Sequence, residues 1–192
     1  MARRLSRSFF RRDPREVAPE LLGKVLRGPG MSARIVEVEA YCGSEDPGSH
    51  AFRGATKRNA TLFGPAGHLY VYFTYGMHWC ANAVCGERGQ GVAVLLRAAE
   101  ALTGLEEMRV RRPAAARDRD LCAGPARLCQ AFGLVGDHDG LDLVRAERGF
   151  TIVDDGIPPP VPTIGPRIGL SAGAELPWRW AVAGDPNLSR PA

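Results

Sequence analysis

The sequence predicts an α+β fold: a single domain around a mainly antiparallel β-sheet, with peripheral helices. Three observations predict it. Residues 69–75, 78–85 and 92–96 are consecutive β-forming runs joined by turns too short for a helical crossover, so neighbouring strands must run antiparallel. Helix-start signatures occur at Asp13-Pro14, Thr103-Gly104 and Gly124-Pro125, outside those runs. The 192 residues amount to one domain, expected to span 1–192, that buries about 70% of its unfolded surface without a disulfide or metal.

The elements follow in order. Asp13 caps a helix, Pro14 suits its first position, and Glu16 completes a capping box; the helix ends near Leu22-Gly23. A strand begins at Lys24. Residues 34–41, Arg-Ile-Val-Glu-Val-Glu-Ala-Tyr, alternate as a strand does. Val36, Val38 and Ala40 are expected on one face, with Ile35, Glu37, Glu39 and Tyr41 on the other. Alternation alone puts both glutamates in solvent. Residues 42–68, rich in Gly, Pro and Ser, form a long loop of the kind that often carries function. In the next strand Tyr70, Tyr72 and Thr74 share one face and Tyr75 the other, and Gly76 turns the chain. Gly86 to Gly91 is a second turn. Thr103 and Glu106 read as a capping box opening a helix to about Arg112, and Gly133 ends a helix begun at Pro125. Residues 141–153 read as a strand pair, Pro158–Pro162 as a stiff connection, and Trp178–Trp180 as a strand.

Charge is unevenly placed. The net charge is +4, from 23 arginines and two lysines against 21 acids. Six arginines fall in residues 1–15 and five in 109–119, whereas 136–155 holds six acids. Such clusters mark either a polyanion-binding surface or solvated loops. Residues 1–12 are expected as a flexible basic arm. The five cysteines are odd in number and include no CxxC, so they read as buried free thiols in a reducing, cytoplasmic setting. His78-x-Cys80 with Cys85 lacks a second cysteine pair, so no metal is expected. No apolar run approaches the roughly 18 residues of a membrane span, and no signal-peptide core follows the basic start.

The candidate chemistry gathers in four places: the Glu-x-Glu strand, the loop holding His50, the tyrosine-rich strand, and Arg97 at the end of a strand. There is no Ser-His-Asp order and no phosphate-binding glycine loop. A carboxylate and an arginine among aromatics suit hydrolysis of a planar, cationic substrate, since tyrosine rings bind cations through their faces. The plainer reading of the same pattern is an aromatic core strand beside a solvated one.

Specific motifs separate these readings. Residues 34–41, then Glu45-Asp46, Ser49-His50, Arg58-Asn59, Leu69–Tyr72 and Tyr75-Gly76-Met77 occur in one order. Cys80-x-Asn82, Val94–Ala98, Leu121-Cys122-x-Gly124-Pro125 and Leu128–Ala131 follow. Together they resemble the methylpurine (3-methyladenine) DNA glycosylase family of the alkyladenine type, over nearly the whole chain. The resemblance implies a monofunctional enzyme of base excision repair, without cofactor, acting as a monomer on double-stranded DNA that contains damaged purines. It implies a curved sheet with a protruding hairpin that inserts into DNA, a water activated by Glu39, and Arg97 fixing carboxylate and water. Tyr41, His50 and Tyr72 become walls of a base pocket. Asn82 becomes a gate against the 2-amino group of guanine. Tyr75 becomes the wedge filling the vacated stack, flanked by Met77 and His78. Strand spacing does not choose between Glu37 and Glu39; the resemblance chooses Glu39. The basic segments become phosphate-contact candidates. A non-catalytic damaged-DNA-binding module and a hydrolase of free nucleosides are the competing readings.

Overall fold

The computed structural model describes residues 2–158 and 160–190. In chain order the elements are β1 (Arg3–Arg4), α1 (Arg7–Phe10), α2 (Pro14–Leu21), β2 (Val25–Gly28), β3 (Met31–Cys42), β4 (Leu69–Thr74) and β5 (His78–Cys85). Then come β6 (Val92–Thr103), α3 (Leu105–Arg111), α4 (Pro125–Phe132), β7 (Thr151–Asp154), β8 (Pro162–Gly165) and β9 (Arg179–Val182). Among the described residues every strand pairing is antiparallel, in the order β1-β7-β2-β3-β6-β5-β4. The expected α+β fold around a curved antiparallel sheet is the one observed. No helix among these residues is long and apolar enough to cross a membrane.

β3 is the spine of the sheet. One of its edges runs along β6. The other is shared, with Met31–Arg34 pairing to β2 and Glu37–Glu39 to β9, which in turn carries β8. The main core lies between one sheet face and the helices. Val17, Ala18 and Leu21 of α2 and Leu128, Cys129 and Phe132 of α4 pack with Ala33, Ile35, Val38, Ala40, Val94 and Leu96. Fully burying a side chain the size of Leu or Phe is worth about 1.5–3 kcal/mol, so this layer is the main source of stability. On the opposite sheet face, Ala51 and Leu62 of the 43–68 loop pack on Tyr70, Val84 and Ala93. All five cysteines are free and buried.

Several expectations are corrected. The alternation of 34–41 is broken: Ile35 lies in the core with Val38 and Ala40, because the β3–β6 ladder is irregular on both sides of Glu37. Thr103 does not cap a helix. β6 continues through it, its hydroxyl meets Ser32 Oγ at 2.8 Å, and Gly104 begins α3 at φ 76°. A Cβ at Gly104 would fall 2.6 Å from that of Met31, so glycine is required there. Residues 141–153 are not a strand pair. Asp142 accepts the backbone N–H groups of Val144 and Arg145, which turns the chain, and only Thr151–Asp154 form a strand of the sheet. The N-terminal segment is docked rather than free. Arg3 and Arg4 pair with Asp154 and Val153, and Phe10 is 1% exposed. Met1 lies outside the described residues, as does Pro159 of the proline-rich connection, whose later part enters β8.

Candidate active site

The irregularity in β3 and β6 builds the polar centre. Register matches on either side of it, yet both strands change which face they bury: Ile35 then Val38 on β3, Leu96 then Ala99 on β6. Bulged residues re-aim side chains, and here Glu37, Glu39 and Arg97 come together. Both glutamates are wholly buried and Arg97 is 8% exposed, which overturns the solvated face read from alternation. The Arg97 guanidinium bridges the two carboxylates, with Nε 3.0 Å from Glu37 Oε1 and Nη1 3.3 Å from Glu39 Oε1.

The two carboxylates are held differently. Glu37 Oε1 accepts from Arg97 Nε (3.0 Å), Arg179 Nε (2.7 Å) and Ser189 Oγ (2.9 Å), and its Oε2 accepts from Ser189 N (2.8 Å). Glu39 Oε1 accepts from Ile168 N at 2.8 Å and faces Arg97, and Oε2 accepts from Tyr41 Oη at 2.9 Å. One acceptor position on Oε2 is left. Burial pushes the Glu39 carboxyl above its ordinary range, and Arg97, the Ile168 N–H and the Tyr41 hydroxyl pull it back. Each Oε2 has one donor; what sets Glu39 apart is that its partners Tyr41, Ile168 and Arg97 all line a neighbouring cavity, whereas Arg179 and Ser189, which hold Glu37, do not.

A cavity of about 170 Å³ opens beside this centre. Tyr41, Tyr72, His50, Asn82 and Arg97 all line it, as does Tyr70. His50 meets Tyr72 edge to face at 4.4 Å between centroids, and Tyr72 stacks on Tyr70 at 5.4 Å and 26°. His50 Nδ1 lies 3.3 Å from the Tyr70 hydroxyl, and burial and then Arg58 lower the pKa of the ring, which favours neutral imidazole. Burial pushes the Tyr70 phenol up to about 12. Burial likewise raises Tyr41 and Tyr72, so all three remain hydroxyl donors at neutral pH. The amide of Asn82 is buried and donates to Tyr70 O at 3.1 Å, which leaves its carbonyl as an acceptor.

Tyr75 stands at the cavity mouth, on the turn between β4 and β5 rather than on a strand face. Tyr75 and Gly76 both adopt positive φ (51° and 67°), and Met77 N bonds Thr74 O at 3.2 Å, the pattern of a type I′ turn. Glycine supplies one left-handed position cheaply; a tyrosine in the other costs about 1–2 kcal/mol. Tyr75 is 80% exposed and Met77 67%, and His78 is exposed beside them. An apolar tip held at a backbone cost and presented to water is a feature of binding sites.

The sequence profile described as methylpurine-DNA glycosylase (MPG) matches residues 8–186 of this chain. The chain belongs to the methylpurine-DNA glycosylase family. It is 59% identical over 189 residues to a Burkholderia lata protein, covering 97% of this chain and 91% of that one. It is 48% identical over 193 residues to a Streptomyces avermitilis protein, covering 96% and 90%, and 46% identical over 177 residues to one from Nitrosospira multiformis, covering 92% and 89%. All three carry 3-methyladenine DNA glycosylase in their names.

In this methylpurine-DNA glycosylase family member the basic clusters are mostly committed elsewhere. Arg109 pairs with Asp118 and Glu106, Arg111 with Glu107, and Arg117 with Asp120; Arg112 is buried against the Asp120 and Leu121 carbonyls. Near the N-terminus Arg7 pairs with Asp142, Arg12 with Glu20 and Arg15 with Asp13. By contrast Lys57 and Arg58 have no carboxylate partner among the described residues, and Arg58 Nη2 donates to Phe73 O at 2.6 Å beside the hairpin tip. Sequence reasoning also missed Tyr70, Ile168, Asp46 and Arg167. Glu45-Asp46 stood among the motifs, but no spacing joined it to Arg167 or Ile168. Among the described residues no group of His, Cys, Asp and Glu is placed to hold a metal.

Proposed function

We propose that this protein is a DNA glycosylase that extrudes alkylated or deaminated purines from duplex DNA and hydrolyses the N-glycosidic bond, leaving an abasic site. The observation that carries the reading is the union of an aromatic-walled cavity, lined by Arg97, Tyr41 and Ile168, with the buried Glu39 that these three hold and an exposed tyrosine at the mouth. A base inside a duplex is out of reach, and flipping it costs a few kcal/mol. Tyr75 enters the vacated stack, with Met77 and His78 against the neighbouring strand. The extruded base lies among Tyr41, His50 and Tyr72, whose electron-rich rings favour a cationic alkylpurine. Asn82 acts as a steric gate: the 2-amino group of guanine would clash with its side chain, which discriminates against normal guanine.

Hydrolysis then needs one proton acceptor. Glu39 takes the proton of a water through its remaining Oε2 position. Arg97 keeps the carboxylate ionised, and the water oxygen bonds to the sugar carbon as the base leaves with the electron pair. A cationic base departs without further protonation. Neither lysine lines the cavity, and Lys24 is tied to Asp154 at 2.9 Å, so no amine is placed to attack the sugar and the enzyme is read as monofunctional. It acts as a monomer and without a cofactor. Lys57 and Arg58 are the phosphate contacts of this reading, in place of the internally paired arginines.

Base release from duplexes carrying one alkylated or deaminated purine tests the proposal. Release from the duplex and not from free nucleoside is expected. Binding without release would identify a non-catalytic module, and the reverse preference a nucleoside hydrolase. Glu39→Gln is expected to lower single-turnover release by at least about 10²–10⁴-fold while the lesion duplex still binds. Near-normal turnover would remove Glu39 from the mechanism.

A further inference from the structure

We propose that Arg167 is a positioning residue that sets Glu39 and both walls of the cavity in place, acting through Asp46, Tyr41 and the Ile168 peptide. The inference rests on the reading of Glu39 as the base. The side chains of Arg167 and Asp46 are both wholly buried. Arg167 Nη1 donates to Asp46 Oδ2 at 2.5 Å and to Ala40 O at 3.0 Å; Nη2 donates to Asp46 Oδ1 at 2.7 Å and to Gly173 O at 3.2 Å. Its guanidinium carbon lies 4.7 Å from the centre of the Tyr41 ring and 5.1 Å from that of Trp178.

Each partner leads to the site. The residue after Arg167 is Ile168, whose N–H bonds Glu39 Oε1 at 2.8 Å, and Gly169 and Leu170 continue along the cavity. The Tyr41 ring on which Arg167 lies carries the hydroxyl bonded to Glu39 Oε2. Asp46 accepts from Cys42 N (3.1 Å) and Gly48 N (2.9 Å), which fixes the turn leading into Ser49 and His50. One guanidinium thus ties three chain segments to one carboxylate.

Stability alone is a poor account of this pair. A buried ion pair is often matched or bettered by apolar residues of equal volume, and Arg167 Nε is the only buried side-chain nitrogen or oxygen left without a partner among the described residues. What the arrangement provides is placement. Only a planar fork can pair both Asp46 oxygens while stacking against two rings, so lysine is not equivalent here.

The test is single-turnover base release from a lesion duplex as a function of pH for Arg167→Gln, with Asp46→Asn beside it. The charged and titratable groups facing Glu39 are Arg97, Glu37, Tyr41, Arg167 and Cys80. Loosening the Ile168 N–H and removing the Arg167 charge both favour protonated Glu39, so the acid limb moves to higher pH. The rate on the plateau is expected to fall roughly ten- to a hundredfold, with the dissociation constant of the lesion duplex changed less than about threefold. A folded variant with the parent rate and acid limb overturns the proposal. So does a lower rate with an unmoved limb, which is what loosened packing alone produces. If Arg167→Gln melts below the assay temperature, Arg167→Lys replaces it: it keeps the charge and loses the fork, so the rate falls and the limb moves in the same direction by a smaller amount, through the loosened Ile168 N–H alone, and an unmoved rate or limb again overturns the proposal. Glu39→Gln run alongside separates the two readings. Retained turnover there removes Glu39 as the base. An inactive Glu39→Gln with an unperturbed Arg167→Gln removes only the positioning role.

Discussion

Arg97 touches two carboxylates two positions apart on β3, and the partners of each carboxylate decide what it can do. Glu37 is held by two arginines and Ser189, of which only Arg97 lines the cavity; Glu39 is held by Tyr41, Ile168 and Arg97, which all line it. The pH profile of base release is expected to report this. In the proposed mechanism release requires ionised Glu39, whose carboxyl burial raises, so activity is expected to fall on the acid side along a limb above the ordinary carboxylate value of about 4.3. With a cationic alkylpurine, which needs no protonation to depart, only that limb is expected. With a neutral deaminated purine, whose ring nitrogen must be protonated, the rate should also decline at high pH. Identical profiles for the two substrates would contradict this assignment. Glu37 belongs to the structure of the centre. Glu37→Gln leaves Arg97 and Arg179 short of a buried counter-charge and is expected to cost about 3–5 kcal/mol in urea unfolding, far more than loss of an exposed pair such as Arg109–Glu106.

The β4–β5 hairpin concentrates its conformational cost at Tyr75, held at φ 51° with the side chain in solvent. Tyr75→Gly is expected to keep or slightly raise the melting temperature, because glycine adopts that backbone freely, while lesion-duplex binding and base release weaken. A lower melting temperature together with unchanged binding would show that the ring stabilises the fold and does not wedge DNA. This hairpin was readable from sequence, since Tyr-Gly after an alternating β run marks a turn. Helix α2 was readable from Asp13-Pro14, and Asp13 does accept from Arg15 N at 2.8 Å. The phase change of β3 was not. No Gly or Pro marks it between Arg34 and Tyr41, and β6 changes face at the same point, so neither strand reveals it alone. Thr103 failed as a cap because the sheet claimed it: a strand continuing against Ser32 outweighed a local capping preference.

Across the whole molecule the arginines divide into those that hold the fold and those free to meet a polyanion. Composition could not make that division, because ion pairs such as Arg7–Asp142 and Arg34–Asp155 join residues far apart in the chain. The same holds for Arg167 and Asp46, separated by 121 positions. Individual motif residues were therefore legible, and the network joining them was not. Duplex binding measured against salt tests the division. Lys57→Ala and Arg58→Ala should each lower the slope of log affinity against log salt by about 0.9, whereas Arg109→Ala should leave it unchanged. Equal slopes for all three would place the phosphate contacts elsewhere. The grip of Ser189 on Glu37 also bears on when the centre becomes complete. During translation the carboxylate from position 37 waits for a serine made 152 residues later, so a ribosome stalled short of codon 189 carries a chain whose Glu37 still lacks two of its hydrogen-bond donors.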